Sequence, residues 1–63
     1  MTLYAYEISP RPAELGGGWQ LRLIKDGVEV GGGVFPLRDG SGNPMVAAFQ
    51  EALYEALIWQ KTR

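Results

Sequence analysis

No cysteine and no histidine occur anywhere in the chain. The first absence removes disulfide staples, thiol nucleophiles and thiolate metal sites. The second removes the commonest general base and the commonest metal ligand. No window comes near the ~20 uninterrupted apolar residues of a membrane span. The opening Met-Thr-Leu-Tyr-Ala-Tyr-Glu has no basic region and no long apolar run, so no secretory leader is expected and cytoplasmic residence is the default. Cations are scarce as well. Six Lys/Arg stand against seven Asp/Glu, for a net charge of −1, and Arg11, Arg22, Lys25, Arg38, Lys61 and Arg63 are scattered rather than clustered. Phosphate affinity needs clustered cations, so this balance argues against a nucleic-acid binder.

The 63 residues suffice for one small domain, 1–63. A domain of this size buries only about 60% of its unfolded surface. Without staples, such domains often gain stability by oligomerising.

What is present is organised around Trp19 to Phe35. Two strand-like runs flank Asp26-Gly27, a strong hairpin signal. A two-residue type I′ turn needs φ > 0 at both central positions, and Asp followed by Gly supplies it at little cost. An unbroken hairpin would set Lys25 opposite Val28, Leu23 opposite Val30, Leu21 opposite Gly32 and Trp19 opposite Val34. Trp19, Leu21, Leu23, Val28, Val30 and Val34 would then share an apolar face. Gln20, Arg22, Ile24, Glu29, Gly31, Gly33 and Phe35 would share the mixed opposite face.

Before the hairpin, Leu3 to Ile8 reads as a strand, with Tyr4, Tyr6 and Ile8 on one face. Those two tyrosines are expected to face the core, because burying their rings contributes more than burying Leu3 and Ala5. Pro10 and Pro12 end that strand. A loop of about nine residues follows, through Gly16-Gly17-Gly18, with Leu15 placed to tuck under the sheet edge. After the hairpin, Asn43-Pro44 is a helix start, Asn43 as N-cap and Pro44 at the first helical position. The helix should run from Pro44 to about Gln60, with Lys61 suited to the negative end of its dipole. Steps of 100° give it a core face of Met45, Phe49, Ala52, Leu53 and Ala56, flanked by Val46, Ala48, Leu57 and Trp59. The expected fold class is α+β: a three-stranded antiparallel sheet in β-β-β-α order, one C-terminal helix packed on one face.

No chemistry-bearing constellation emerges. Neither Gly16-Gly17-Gly18 nor Gly40-Ser41-Gly42 fits a phosphate-binding motif. Asp39-Gly40-Ser41-Gly42-Asn43 starts like a calcium loop, but Pro44 stands where its glycine belongs and Gln50 where its glutamate belongs. The carboxylates Glu51 and Glu55 sit one turn apart on the outer helix surface, the usual setting of a solvated pair. Without His, Cys or a buried acid pair there is no nucleophile–base arrangement, and the expectation is a non-enzyme with no cofactor and no metal.

Two surfaces stand out as partner-binding candidates. On the helix, Ala47, Tyr54 and Ile58 project within about 40° of one another, nearly opposite the core face. Exposed Tyr54 and Ile58 together suggest an association face. On the sheet, glycines at 31 and 33 would bare a patch rimmed by Gln20, Arg22 and Phe35. The expected partner is a protein or a second copy of the chain.

The order strand, strand, strand, helix is similar to that of the plant AP2/ERF domain and of the arm-binding domains of phage-type integrases. Trp19-Gln20-Leu21-Arg22-Leu23, the hairpin, Val34-Phe35 and the helix residues Ala48, Phe49, Ala52, Ala56 and Trp59 carry the likeness. The resemblance implies a sheet face that enters the DNA major groove, with Arg22 and Lys25 as base or phosphate contacts. Those families use several arginines and tryptophans there, whereas this face holds Gln20, Ile24, Glu29 and glycines. A weak DNA-binding domain is therefore the alternative expectation. The chain also looks like a small bacterial or phage protein.

Overall fold

The computed structural model describes residues 1–37 and 42–62. Three strands, β1 (Tyr4–Pro10), β2 (Trp19–Lys25) and β3 (Val28–Phe35), precede one helix, α1 (Pro44–Lys61). The sheet order is β1-β2-β3 and both pairings are antiparallel. This is the α+β layout read from the sequence.

The turn chemistry works as the residue types require. Asp26 and Gly27 both take positive φ, 51° and 83°. Asp26 also anchors the first strand, because its carboxylate accepts from Leu3 N–H at 2.8 Å while its own N–H donates to Leu3 O at 2.8 Å. At the helix start, the Asn43 side chain accepts from Val46 N–H at 3.2 Å and Pro44 takes the first helical position. Between β1 and β2, Arg11 braces the loop by donating to Gly17 O and Leu15 O at 3.0 and 2.9 Å. Leu15 lies in a 3-10 turn and stays exposed, so it does not tuck under the sheet.

The hairpin register departs from the unbroken pattern. Lys25 pairs with Val28 and Ile24 with Glu29, but Leu23 then pairs with Gly31. Val30 is the extra residue of a β-bulge. Beyond it the register moves by one, so Leu21 faces Gly33, Gln20 faces Val34 and Trp19 faces Phe35. A one-residue slip exchanges faces. Phe35, Gly31 and Gly33 therefore share the helix side with Trp19, Leu21 and Leu23, and Val34 shares the open side with Gln20. The expected placement of Phe35 on the open face, and of Val34 and Gly32 on the core face, is corrected accordingly. Gly32 has φ 152°, and a Cβ there would collide with the Leu21 carbonyl. The backbone leaving the bulge needs glycine at that position.

The helix lies on the face shared by Tyr4, Tyr6, Ile8, Trp19 and Leu21, mainly across β2 and β1. It is held at both ends. Near its start, Trp19 meets Phe49 edge-on at 5.0 Å and its indole N–H donates to Met45 O at 2.9 Å. Near its end, Tyr4 meets Trp59 edge-on at 5.4 Å and the Gln60 amide donates to Tyr4 O at 2.9 Å. The fully buried helix residues are Ala48, Ala52 and Ala56, with Leu21 beneath them. Ala48 thus belongs to the buried face itself rather than its flank, and Leu53 is only half-buried. Small residues bring the helix close to the strands, while among the described residues no large side chain is completely enclosed. The core is thin, as expected for a chain this short.

Candidate functional site

A helix with its side chains is about 10–12 Å wide, and neighbouring strands are about 4.8 Å apart, so one helix covers about two strands. Here α1 covers β1 and β2, and β3 is left over. Every β3 residue but Phe35 is exposed. Val28, Val30 and Val34 keep 64%, 54% and 53% of their surface in solvent. The glycines on the helix side deepen the gap between α1 and β3. The result is a groove of about 290 Å³ lined by Leu21, Leu23, Gly33, Phe35, Ile58 and Trp59 among others.

Ile58 forms the ridge of this groove and belongs also to a second hollow on the outer helix surface. That hollow, about 450 Å³, is lined by Tyr54, Leu57, Ile58, Gln60 and Lys61. Tyr54 is 66% exposed and Ile58 40%. The structure therefore joins Phe35, Ile58 and Tyr54 into one apolar flank. Sequence reasoning had put Phe35 with Gln20 and Arg22, on the opposite side of the sheet. Val28, Val30 and Leu57 extend the exposed apolar surface and were not among the expected partner-binding residues. For Leu57 a signal existed, since on the 100° wheel it lies about 60° from Tyr54, at the edge of the outer face.

Gln20 and Arg22 lie on the open face, where Arg22 is ion-paired to a carboxylate on each neighbouring strand. Its Nε donates to Glu29 Oε1 at 2.6 Å and its Nη1 to Glu7 Oε1 at 3.2 Å, tying all three strands together. The Glu29 hydrogen bond, then the charges of both carboxylates, hold the guanidinium above its ordinary pKa. The trio carries a net charge of −1, so the central cation of this face is already neutralised by its own neighbours. The remaining open-face residues, Ala5, Ser9, Gln20, Ile24, Gly32 and Val34, carry no charge.

Among the described residues no three acidic side chains cluster so as to hold a metal ion. Asp39, Gly40 and Ser41, the start of the calcium-like stretch, lie outside the described residues. Glu51 and Glu55 are on the helix, Glu55 at the rim of the groove. No helix among the described residues is long and apolar enough to cross a membrane.

Comparison with known proteins finds no matching family model, no matching curated protein and no matching solved structure.

Proposed function

We propose that this chain is a small, non-enzymatic interaction module that binds a protein surface, its own or another's, along the flank between α1 and β3. It needs no cofactor. A cytoplasmic setting in a bacterium or mobile element goes with this reading, since a domain without cysteine needs no oxidising compartment. The observation that carries the proposal is the uncovered third strand. Phe35 and Ile58 line the groove beside β3, and Ile58 and Tyr54 the hollow next to it, apolar surface that α1 is too narrow to cover. Exposed apolar surface of this kind, rimmed by polar groups such as Glu55, Gln60 and Lys61, is the mark of an association site.

A photo-crosslinking residue introduced at Tyr54 tests the proposal in cells. The expected result is a defined protein adduct, lost when Ile58→Glu is added. Absence of any protein adduct, together with salt-sensitive DNA binding that requires Arg22, would favour a DNA-binding sheet face instead.

A further inference from the structure

Three glycines in a row are costly in a strand, since each loses backbone freedom on folding and packs no side chain. The fold accounts for one of them. Gly32 sits at φ 152° with its missing Cβ against the Leu21 carbonyl. Gly31 and Gly33 have no positive φ and have room for a Cβ, so nothing within the chain requires glycine there. A strand lying alongside β3 would require it. We propose that β3 pairs edge to edge with β3 of a second copy of this chain, antiparallel, about a two-fold axis at Gly33. The proposal rests on the flank beside β3 being a protein-binding surface, and names the protein.

β3 has a neighbouring strand on one side only. The ladder shows which of its backbone groups are free. Asp26 N–H donates to Leu3 O, so even-numbered residues along β2 address β1 and odd-numbered ones address β3. Gly31, Gly33 and Phe35, the partners of Leu23, Leu21 and Trp19, are therefore bonded inward. Gly32 and Val34 direct their N–H and C=O groups to the open edge. An axis at Gly33 sets Gly32 opposite Val34 of the second copy, and the reverse, two pairs that each exchange both hydrogen bonds. It also sets Phe35 opposite Gly31 of the second copy on the helix side, and Gly33 opposite itself. Val34 and Phe35, the two side chains of this stretch, thus each meet a glycine. An aromatic ring laid across a glycine of the next strand restores the packing that the glycine lacks.

The neighbouring registers with the same backbone parity are worse. An axis at Gly32 runs the pairing into the bulge at Val30. An axis at Val34 sets Gly32 against Pro36, which has no N–H to give. The bulge and the proline bound the free edge at both ends, and an isologous contact closes at two chains.

Charge permits the pairing. Gly31 to Phe35 carry none. Glu29, four residues from the axis, stands about 26 Å from its counterpart, beyond the roughly 8 Å over which screened charges interact. The helix side permits it as well. Each α1 lies over β1 and β2, so in the joined sheet the two helices stand about 19 Å apart with about 8 Å between their surfaces. That channel joins the two grooves lined by Leu23, Phe35 and Ile58, and both Phe35 rings enter it. A charge at Ile58 would face those rings, so Ile58→Glu opposes the pairing. Five paired residues make a contact at or below the roughly 600 Å² per partner of the smallest stable interfaces, so a dissociation constant of about 10–500 μM is expected.

The chain has no native cysteine, so single-cysteine variants read the register. Gly33→Cys lies opposite itself, within the Cα separation that a disulfide spans, and is expected to oxidise to a covalent dimer at least about tenfold faster than Gly31→Cys. The two copies of residue 31 are about 13 Å apart in the same register. In sedimentation equilibrium, Val34→Pro removes only an outward-facing donor and is expected to stay single while keeping its circular dichroism. Val34→Ala keeps the donor and is expected to pair still. Equal oxidation of Gly33→Cys and Gly31→Cys overturns the β3 contact, even where Val34→Pro fails to fold, and so does a folded Val34→Pro that pairs as the unaltered chain does. In either case a mass that still rises with concentration leaves the flank reading standing. A single-chain mass at every concentration, with a Tyr54 adduct to a different protein, overturns the second copy as partner but not the module reading. Neither dimer nor adduct overturns both.

Discussion

Alanine placed in turn at Gly31, Gly32 and Gly33 should give opposite results at adjacent positions. Gly32 takes φ 152°, and its missing Cβ leaves room for the Leu21 carbonyl of the neighbouring strand. Holding a non-glycine residue in such a backbone region costs roughly 1–3 kcal/mol, and the collision with backbone adds to it. A loss of about 2 kcal/mol or more is expected, from a total of about 3–9 kcal/mol for a chain this long. At about 4–8 °C per kcal/mol, the midpoint should fall by about 8 °C or more. Gly31 and Gly33 differ. Neither has positive φ. A Cβ there would meet only Leu23 Cδ1 at 3.8 Å or Phe35 Cε2 at 3.7 Å, ordinary contacts. Alanine at either should be neutral, or gain about 0.4–1 kcal/mol by restricting the unfolded chain. Urea and thermal unfolding followed by circular dichroism, at one fixed protein concentration, would read all three. If Gly32→Ala were tolerated while Gly31→Ala or Gly33→Ala unfolded the protein, the bulge at Val30 and everything placed by it would be wrong.

Three further outcomes follow from the packing. Ala52→Leu forces a larger side chain into the fully buried helix–sheet contact and should cost about 1–3 kcal/mol in urea denaturation. Trp19→Phe keeps an aromatic ring near Phe49 but loses the bond to Met45 O, an expected loss of about 0.5–1.5 kcal/mol by the same assay. In an NMR titration with a mixed-sequence DNA duplex at low salt, the amides of Gln20, Arg22 and Ile24 should not shift, because Arg22 is committed to Glu7 and Glu29; salt-reversible shifts there would restore the DNA reading.

Much of the fold was legible because strong local signals agreed. Asp26-Gly27 determined the turn, Asn43-Pro44 the helix start, and the alternation of Tyr4, Tyr6 and Ile8 the buried face of the first strand. The bulge was not legible in the same way. Period-two reasoning reads faces from side chains, and Gly31-Gly32-Gly33 offer none, so an extra residue among or just before them leaves no trace in the pattern. One clue remained beyond the glycines. Placing Phe35 rather than Val34 on the core face, as ring area favours, requires one more residue between the turn and Phe35 than an unbroken ladder allows. The helix face was misplaced by about 40° for a related reason. Large residues such as Leu53 weighted the wheel, whereas the close approach to the sheet selects the alanines at 48, 52 and 56. The candidate site inherited the first of these errors: Phe35 was assigned to the wrong side of the sheet, whereas Tyr54 and Ile58, read from helix spacing, are exposed as expected.

The uncovered flank is the centre of this account, and the assembly state of the unaltered chain tests it most directly. Sedimentation equilibrium from about 1 μM to about 1 mM spans the affinities that small interfaces reach. The account predicts a mass rising with concentration from one chain to two and no further, and a chain carrying Ile58→Glu that stays folded and single throughout. A wild-type chain that keeps the mass of one copy over the whole range, with Tyr54 and Ile58 amide signals unmoved by concentration, would contradict self-association through the flank, and a photo-crosslinking residue at Tyr54 that captures no protein either would contradict the flank as an association site.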